Sequence, residues 1–133
     1  MDSISDFFIQ IKNAYLVKKD RVAMPFSKMR YEMAKILEEK GFIAAVRKKK
    51  RIKKTGYGEM LLDLKLKYEE NEPSFRNVKL VSKPSRRIYL KKNEIKPVKE
   101  GYGVLIISTS KGIMTGDEAM KAGLGGQAIA EIW

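Results

Sequence analysis

The chain of 133 residues contains neither cysteine nor histidine. Those two absences remove disulfides, thiolate and imidazole metal ligands, thiol nucleophiles and the commonest general base. Carboxylate-only metal sites stay open in principle, yet the one acidic cluster, Glu69, Glu70 and Glu72, sits in a polar stretch with no frame around it. No enzyme, metal site or cofactor is therefore expected. Acidic residues are scarce, 16 against 28 Lys and Arg, and the net charge of +12 makes the chain repel itself. A polyanion would relieve that repulsion. An anionic membrane calls for an apolar span of about 20 residues or a long basic amphipathic helix, and the sequence has neither. Asp2 and Asp6 stand among the first apolar residues, and no secretory signal is read there. The polyanion that remains is nucleic acid, met in the cytoplasm.

With 44% hydrophobic residues the chain can fold, and its length suits one domain or two small ones. Ile4, Phe7, Phe8, Ile11, Ala14 and Tyr15 recur at three- and four-residue spacing, which predicts a helix capped by Asp2 or Ser3. Lys18 to Asp20 break it, and Arg21 to Met24 form a short strand before Pro25. A second helix starts near Ser27, buries Met29, Met33, Ile36 and Leu37, and stops at Gly41. Met60, Leu62, Leu64, Leu66 and Tyr68 then alternate with Asp63, Lys65 and Lys67, Leu61 being the exception, as in a strand buried on one face. Paired with Phe42 to Val46, this strand makes a hairpin whose connection holds Arg47 to Lys54, seven of eight residues basic. Residues 1–68 form a helix-strand-helix-strand-strand module. Residues 69–74, with Pro73 and no aliphatic or aromatic side chain, are a solvated linker, and 75–133 a second module.

The second module is mostly β with one short helix, so the fold class is α+β. Val78 and Leu80, then Ile88 and Leu90, mark two short strands joined through Pro84 and Ser85, and Val104 to Ile107 reads as a strand buried on both faces. Thr115 and Glu118 have capping-box spacing for a helix through Lys121, stopped by Gly123, Gly125 and Gly126 before a last strand from Gln127.

Four groups carry candidate chemistry. Arg47 to Lys54 can lie on phosphates or be a solvated loop. Lys79, Lys83, Arg86, Arg87, Lys91 and Lys92 surround Tyr89, which alternates with Ile88 and Leu90. It can stack on a base or pack as a rim residue. Lys28 and Lys35, seven residues apart, share a helix face that can hold phosphates or simply face solvent. Ser108, Thr109 and Ser110, with Lys111 and Gly112, follow directly on the buried run. These hydroxyls can read base edges and ribose 2′-OH groups, or serve only a turn. A serine nucleophile with Lys111 as base would need a desolvated lysine and an oxyanion hole, and nothing in the sequence indicates either.

Several of these segments recur, in order, in a known family. "STSKGIMT" from Ser108 to Thr115 with the preceding "GYGVLIIST", "SKPSRRIY" from Ser82 to Tyr89, "GLGGQAIAEIW" at the end, "IQIKNA" and "PFSKMRYEMAKILEEKGFI" from Pro25 make the chain resemble bacterial small-subunit ribosomal protein eight over nearly its whole length. The resemblance implies a structural protein of the small ribosomal subunit, ribosome-bound in the cytoplasm, monomeric when free. It would bind a stem in the central domain of small-subunit ribosomal RNA early in assembly, beside ribosomal proteins five and twelve. In some members the same surface binds the protein's own messenger RNA and represses its translation. By motif, Ser108, Thr109 and Ser110 would read RNA, Tyr89 would stack, Gly125, Gly126 and Gln127 would approach RNA, and Lys28 and Lys54 would support it.

This chain departs from the family's usual Glu at Gln127, Gly at Ser85 and frequent Cys at Ala130. Gln127 can donate as well as accept, and Ser85 places a side chain at a turn where φ > 0 is in question. A DNA-binding architectural protein is the rival that charge alone would also support.

Overall fold

A computed structural model describes residues 3–98 and 101–133. The chain divides into two compact units, Asp6–Phe75 and Arg76–Trp133 with Met1–Ser5, and the architecture is mixed α+β. In the first unit the order is α1 (Ser3–Leu16), β1 (Arg21–Pro25), α2 (Lys28–Glu39), β2 (Ile43–Ile52), β3 (Gly58–Leu66), and two short strands, β4 (Tyr68–Glu69) and β5 (Glu72–Pro73). Helix α1 buries Phe7, Phe8, Ile11, Ala14 and Tyr15, the face its periodicity predicts. Each large apolar side chain so removed from water contributes roughly 1.5–3 kcal/mol. Ser3 is the first helical residue rather than the cap, and Asp2 lies outside the described residues. Ser27 does cap α2, its hydroxyl accepting the Arg30 N–H at 3.1 Å. At the other end Gly41 takes φ +83°, and the N–H groups of Gly41 and Phe42 return to the carbonyls of Glu38 and Leu37. The buried stripe is Met33, Ala34, Ile36 and Leu37, with Met29 only half-buried.

The antiparallel sheet runs β1-β3-β2, so β3 is central. That position corrects the one-faced alternation expected for it: Leu61 and Asp63 are buried along with Leu62, Leu64 and Leu66, whereas Met60 is exposed. A buried carboxylate is costly unless paired. Asp63 accepts from Arg21 Nη1 at 3.0 Å and from Arg47 Nε at 2.8 Å.

The basic run is not the hairpin's connection. Strand β2 continues through Ile52, pairing from Ile43↔Leu66 to Ile52↔Gly58, so only residues 53–57 turn. Lysine-rich sequence disfavours strand, but Arg47 falls opposite Asp63 and Arg51 opposite Glu59, and opposite-charge pairs across the ladder offset that bias. The 69–74 stretch is exposed over 69–72, yet it is not extended chain. Glu70 and Asn71 take positive φ between β4 and β5, and the Ser74 N–H donates to the Lys67 carbonyl at 3.0 Å.

The second unit contains β6 (Val78–Leu80), β7 (Tyr89–Leu90), a 3-10 turn (Lys92–Glu94), β8 (Val104–Thr109), β9 (Gly112–Thr115), α3 (Gly116–Ala122) and β10 (Gly126–Ile132). Its sheet runs β6-β10-β8-β9, with β7 also on β10. Strands β6 and β7 are joined through Pro84 and Ser85 but do not pair with each other. Both lie along β10, β6 at Ala130 to Ile132 and β7 at Gly126 and Gln127. Between them Lys83 and Arg86 exchange both backbone hydrogen bonds, at 2.8 and 2.9 Å. Ser85 does not take a left-handed φ, so its side chain costs that turn nothing.

One face of this sheet carries a core of Ile95, Val98, Leu105, Ile107, Ala119 and Ala128, against which Val81, Leu90 and Met114 pack. The Thr115 hydroxyl accepts the Glu118 N–H at 3.2 Å, and Gly123 at φ +70° ends α3.

Candidate nucleic-acid interface

Strand β8 is interior to its sheet and buries Leu105, Ile106 and Ile107, so it delivers Ser108 and Thr109 from a fixed support. Thr109 pairs with Gly112, which leaves Ser110 and Lys111 as a two-residue hairpin tip. Gly112 sits at φ +111°, a conformation L side chains rarely adopt. The Thr109 hydroxyl donates to the Gly112 carbonyl at 2.9 Å and accepts the Lys111 N–H at 3.1 Å. Its only proton is thereby used inside the turn. Among the three expected reader hydroxyls, then, Thr109 staples the hairpin, while Ser110 is exposed and Ser108 half-buried.

The strand register assembles the rest. Tyr89 on β7 pairs with Gln127 on β10, which pairs with Ser108 on β8. Residues directly opposite in antiparallel strands project to the same face, and neighbouring strands lie about 4.8 Å apart. An aromatic plate, a primary amide and a hydroxyl therefore form one row across the sheet. Leu90, Ala128, Ile107 and Met114 belong to the other face and pack into or against the core. Tyr89 is 68% exposed, as its alternation with Ile88 and Leu90 predicts.

Gly125 and Gly126 have an internal reason to lack side chains. A Cβ on Gly126 would overlap the Ser108 carbonyl, and one on Gly125 would overlap the Leu90 carbonyl. These two glycines let β10 meet the backbones of β8 and β7 where the row forms.

Ser82 has a role that hydrophobic periodicity does not reveal. Its hydroxyl accepts the Ile88 N–H at 2.9 Å and donates to the Ile88 carbonyl at 3.3 Å, fixing the chain one residue before Tyr89. The available signal was a serine flanking the Pro84–Ser85 turn, where such a hydroxyl often replaces a backbone partner.

Around the row Lys83, Arg86, Arg87, Lys91, Lys92 and Lys111 are exposed. Among the described residues, the side-chain ion pairs all involve cations of the other unit. Lys28 opens α2 and Lys54 lies in the β2–β3 turn. Both are exposed, and neither shares an element with the row. Lys35, two turns along from Lys28, is committed to Glu38 at 2.8 Å. That hydrogen bond raises the lysine above, and lowers the carboxyl below, its ordinary pKa.

An exposed aromatic face, an amide and hydroxyls rimmed by free cations suit a nucleotide's base, ribose and phosphate in turn. The comparisons with known proteins agree in extent. The model of the family described as "Ribosomal protein S8" matches residues 2–133. A "Small ribosomal subunit protein uS8" from Thermodesulfovibrio yellowstonii is 43% identical over 133 residues, covering 99% of this chain and 98% of that protein. "Small ribosomal subunit protein uS8c" of Chlorella vulgaris is 40% identical over 99% of this chain and 98% of its own length. The uS8 protein of Acinetobacter baylyi is 41% identical over 97% and 95%. A match that spans both units and every segment of the row means that the chain belongs to the ribosomal protein S8 family.

Proposed function

We propose that this chain is a structural protein of the small ribosomal subunit, working in the cytoplasm on the ribosome, and that its Arg76–Trp133 unit binds a stem in the central domain of small-subunit ribosomal RNA during assembly. The observation that carries this reading is the register that sets Tyr89, Gln127 and Ser108 side by side. Tyr89 stacks, Gln127 and Ser108 bond base edges or ribose, and Ser110 and Lys111 reach in from the hairpin tip. Lys83, Arg86 and Arg87 hold phosphates, while Thr109, Gly112, Gly125 and Gly126 shape the surface. By the family resemblance, Lys28 and Lys54 would also contact RNA.

Gln127 sharpens the specificity question, because an amide presents a donor where a carboxylate would present only acceptors. Its RNA partner group can then be a donor, an acceptor or a mixed edge, where a carboxylate would accept only from donors. By the family resemblance the chain would be monomeric when free and sit near ribosomal proteins five and twelve, and in some members of the family the same surface also binds the protein's own messenger RNA.

The test is a salt titration of binding to three ligands of equal length: a central-domain stem, a scrambled stem and duplex DNA. Preference for the first by roughly a thousandfold is expected of specific recognition. Equal, steeply salt-dependent binding to all three would leave only a basic protein.

A further inference from the structure

The three-stranded sheet of the first unit has two edges, β2 and β1, and the fold treats them differently. At the far end of β2 the Lys53 N–H donates to the Tyr57 carbonyl at 2.8 Å. Bonded pairs alternate along an antiparallel ladder, so Val46, Lys48, Lys50 and Ile52 turn their backbone groups away from β3. The Val46 N–H is taken by the Glu38 carboxylate at 2.8 Å, and lysines follow it along the edge. A filled donor and a run of lysines are the usual means of keeping other strands off.

Strand β1 has neither. Two bonds frame its ladder with β3, from the Leu66 N–H to the Asp20 carbonyl at 2.8 Å and from the Phe26 N–H to the Met60 carbonyl at 3.0 Å. By the same alternation Val22 and Met24 bond to β3, while Arg21, Ala23 and Pro25 face outward. Pro25 has no N–H, and its carbonyl accepts from Arg30 Nη1 at 3.0 Å, which closes that end. The N–H and C=O groups of Arg21 and Ala23 stay open, and both residues are exposed.

Beside this edge an open cleft of about 310 Å³ runs between β1 and the last turns of α1, lined by Val22, Ala14, Val17, Gln10 and Asn13, with Lys19 at its rim. Val17 and its neighbour Leu16 are 66% and 71% exposed, an apolar patch at the end of a helix that otherwise buries its large side chains. A strand added to β1 places the residue opposite Val22 on the same face as Val22, over the cleft. Lys18 and Lys19 are exposed, and among the described residues neither is held by a carboxylate.

We propose that β1 accepts an extended segment of another protein as a further strand. The segment pairs with the backbone of Arg21 and Ala23, lays an aliphatic side chain in the cleft opposite Val22, and sets a carboxylate against Lys18 and Lys19. A peptide supplies N–H and C=O groups at the strand repeat, which a nucleic-acid backbone lacks, and main-chain bonds with one side-chain pocket are how added strands are recognised. The site shares no element with the row and stands whether or not the row binds RNA.

The probe is a blocked peptide of about six residues, the usual strand length, with leucine among threonines and valines and a glutamate at each end. In the free full-length chain, hydrogen exchange read by NMR shows the Arg21 and Ala23 amides open and those of Val22 and Met24 protected. Peptide raised to about 1 mM slows exchange at Arg21 and Ala23 and shifts the methyl resonances of Val17 and Val22. Val17→Asp, at an exposed position, and Ala23→Pro, which removes one outward N–H, each weaken binding about tenfold. A peptide ending in lysines reverses the preference, binding Lys18→Glu with Lys19→Glu better than the acidic peptide does. Should Ala23→Pro fail to fold, N-methylation of the peptide's own amides removes the same bonds from the other side.

Absence of binding at that concentration would overturn the proposal, as would an N-methylated peptide that binds equally well or amides of Arg21 and Ala23 already protected in the free chain. A free chain that sediments as a dimer through this edge would make the occupant a second copy and overturn it too. Val17→Asp leaves binding of the central-domain stem unchanged, so failure of this site and failure of the row are read separately.

Discussion

The two units treat their polar groups in opposite ways. In Asp6–Phe75, Asp63 holds two arginines, Glu59 an arginine and a lysine, and Glu38 both Lys35 and the Val46 N–H, at 2.8 Å each. Tyr15 spends its hydroxyl entirely inside the fold. In Arg76–Trp133 the internal polar bonds serve turns and the cap of α3, and among the described residues the cations and the Ser110 hydroxyl point to solvent. A positive charge in the sequence is therefore a poor guide to a binding surface. What matters is whether the fold supplies a partner. The longest basic run in the chain is half neutralised by the strand opposite, and the sparser cations around Tyr89 are free.

The largest effect that would break this contrast comes from a residue with no charge. Gly126→Ala forces a methyl group into the Ser108 carbonyl, against backbone on an interior strand that has nowhere to yield. The expected cost is about 3 kcal/mol of stability, measured by urea unfolding, with loss of stem binding because the row is wedged apart. If Gly126→Ala binds the stem normally, the register does not build the site.

Next in size is the exposed hydroxyl at the hairpin tip. Ser110→Ala lowers affinity for the central-domain stem by about 1–3 kcal/mol, the scale of a specific base contact, and leaves the unfolding midpoint unchanged. Thr109→Val does the reverse in order: it loses the staple at 2.9 and 3.1 Å, so stability falls by about 1 kcal/mol and affinity follows. Isothermal titration beside thermal melts separates the two. Equal behaviour would mean that Ser110, like Thr109, serves the turn only.

The sequence revealed most of this fold and little of that distinction. Helix α1, the Ser27 cap, the Gly41 stop and the Thr115 cap follow from periodicity and end signals that act within a few residues. Seven basic residues in eight read as a loop, yet most of them lie in β2, which pairs through Ile52↔Gly58. The hairpin's true turn at 53–57 is what sets Arg47 against Asp63 and Arg51 against Glu59, so an error in the turn also hid which charges are spent. The row was illegible for a similar reason. Tyr89, Gln127 and Ser108 are far apart in the chain, and only the register of three strands makes them neighbours. Gly125 and Gly126 read in the sequence as a helix stop and, by the family resemblance, as a close approach to RNA, and the backbones of β7 and β8 add a packing reason that no local signal carries.

One effect in this series should touch stability alone, and Tyr15 supplies it. Its hydroxyl donates to the Phe42 carbonyl at 2.6 Å and accepts the Lys67 N–H at 3.0 Å. Tyr15→Phe leaves both backbone groups without that partner, at a cost of about 1.5 kcal/mol, and RNA affinity is unchanged. The same variant has a pH signature. Burial, opposed by the Lys67 bond and aided by nearby Tyr68, pushes the phenol from 10.0 up to about 12. The folded state thus favours the protonated phenol, so its contribution is complete below pH 10 and is lost as pH rises toward 12. Every other ionisable group is common to both proteins, so the difference between the two stability curves isolates the phenol. The gap between wild type and Tyr15→Phe should narrow above pH 10. A gap that stays constant would show that the hydroxyl is not held in the fold. A loss of stem affinity at neutral pH would instead tie this unit's internal polar bonds to the binding surface, and the contrast between the two units would fail.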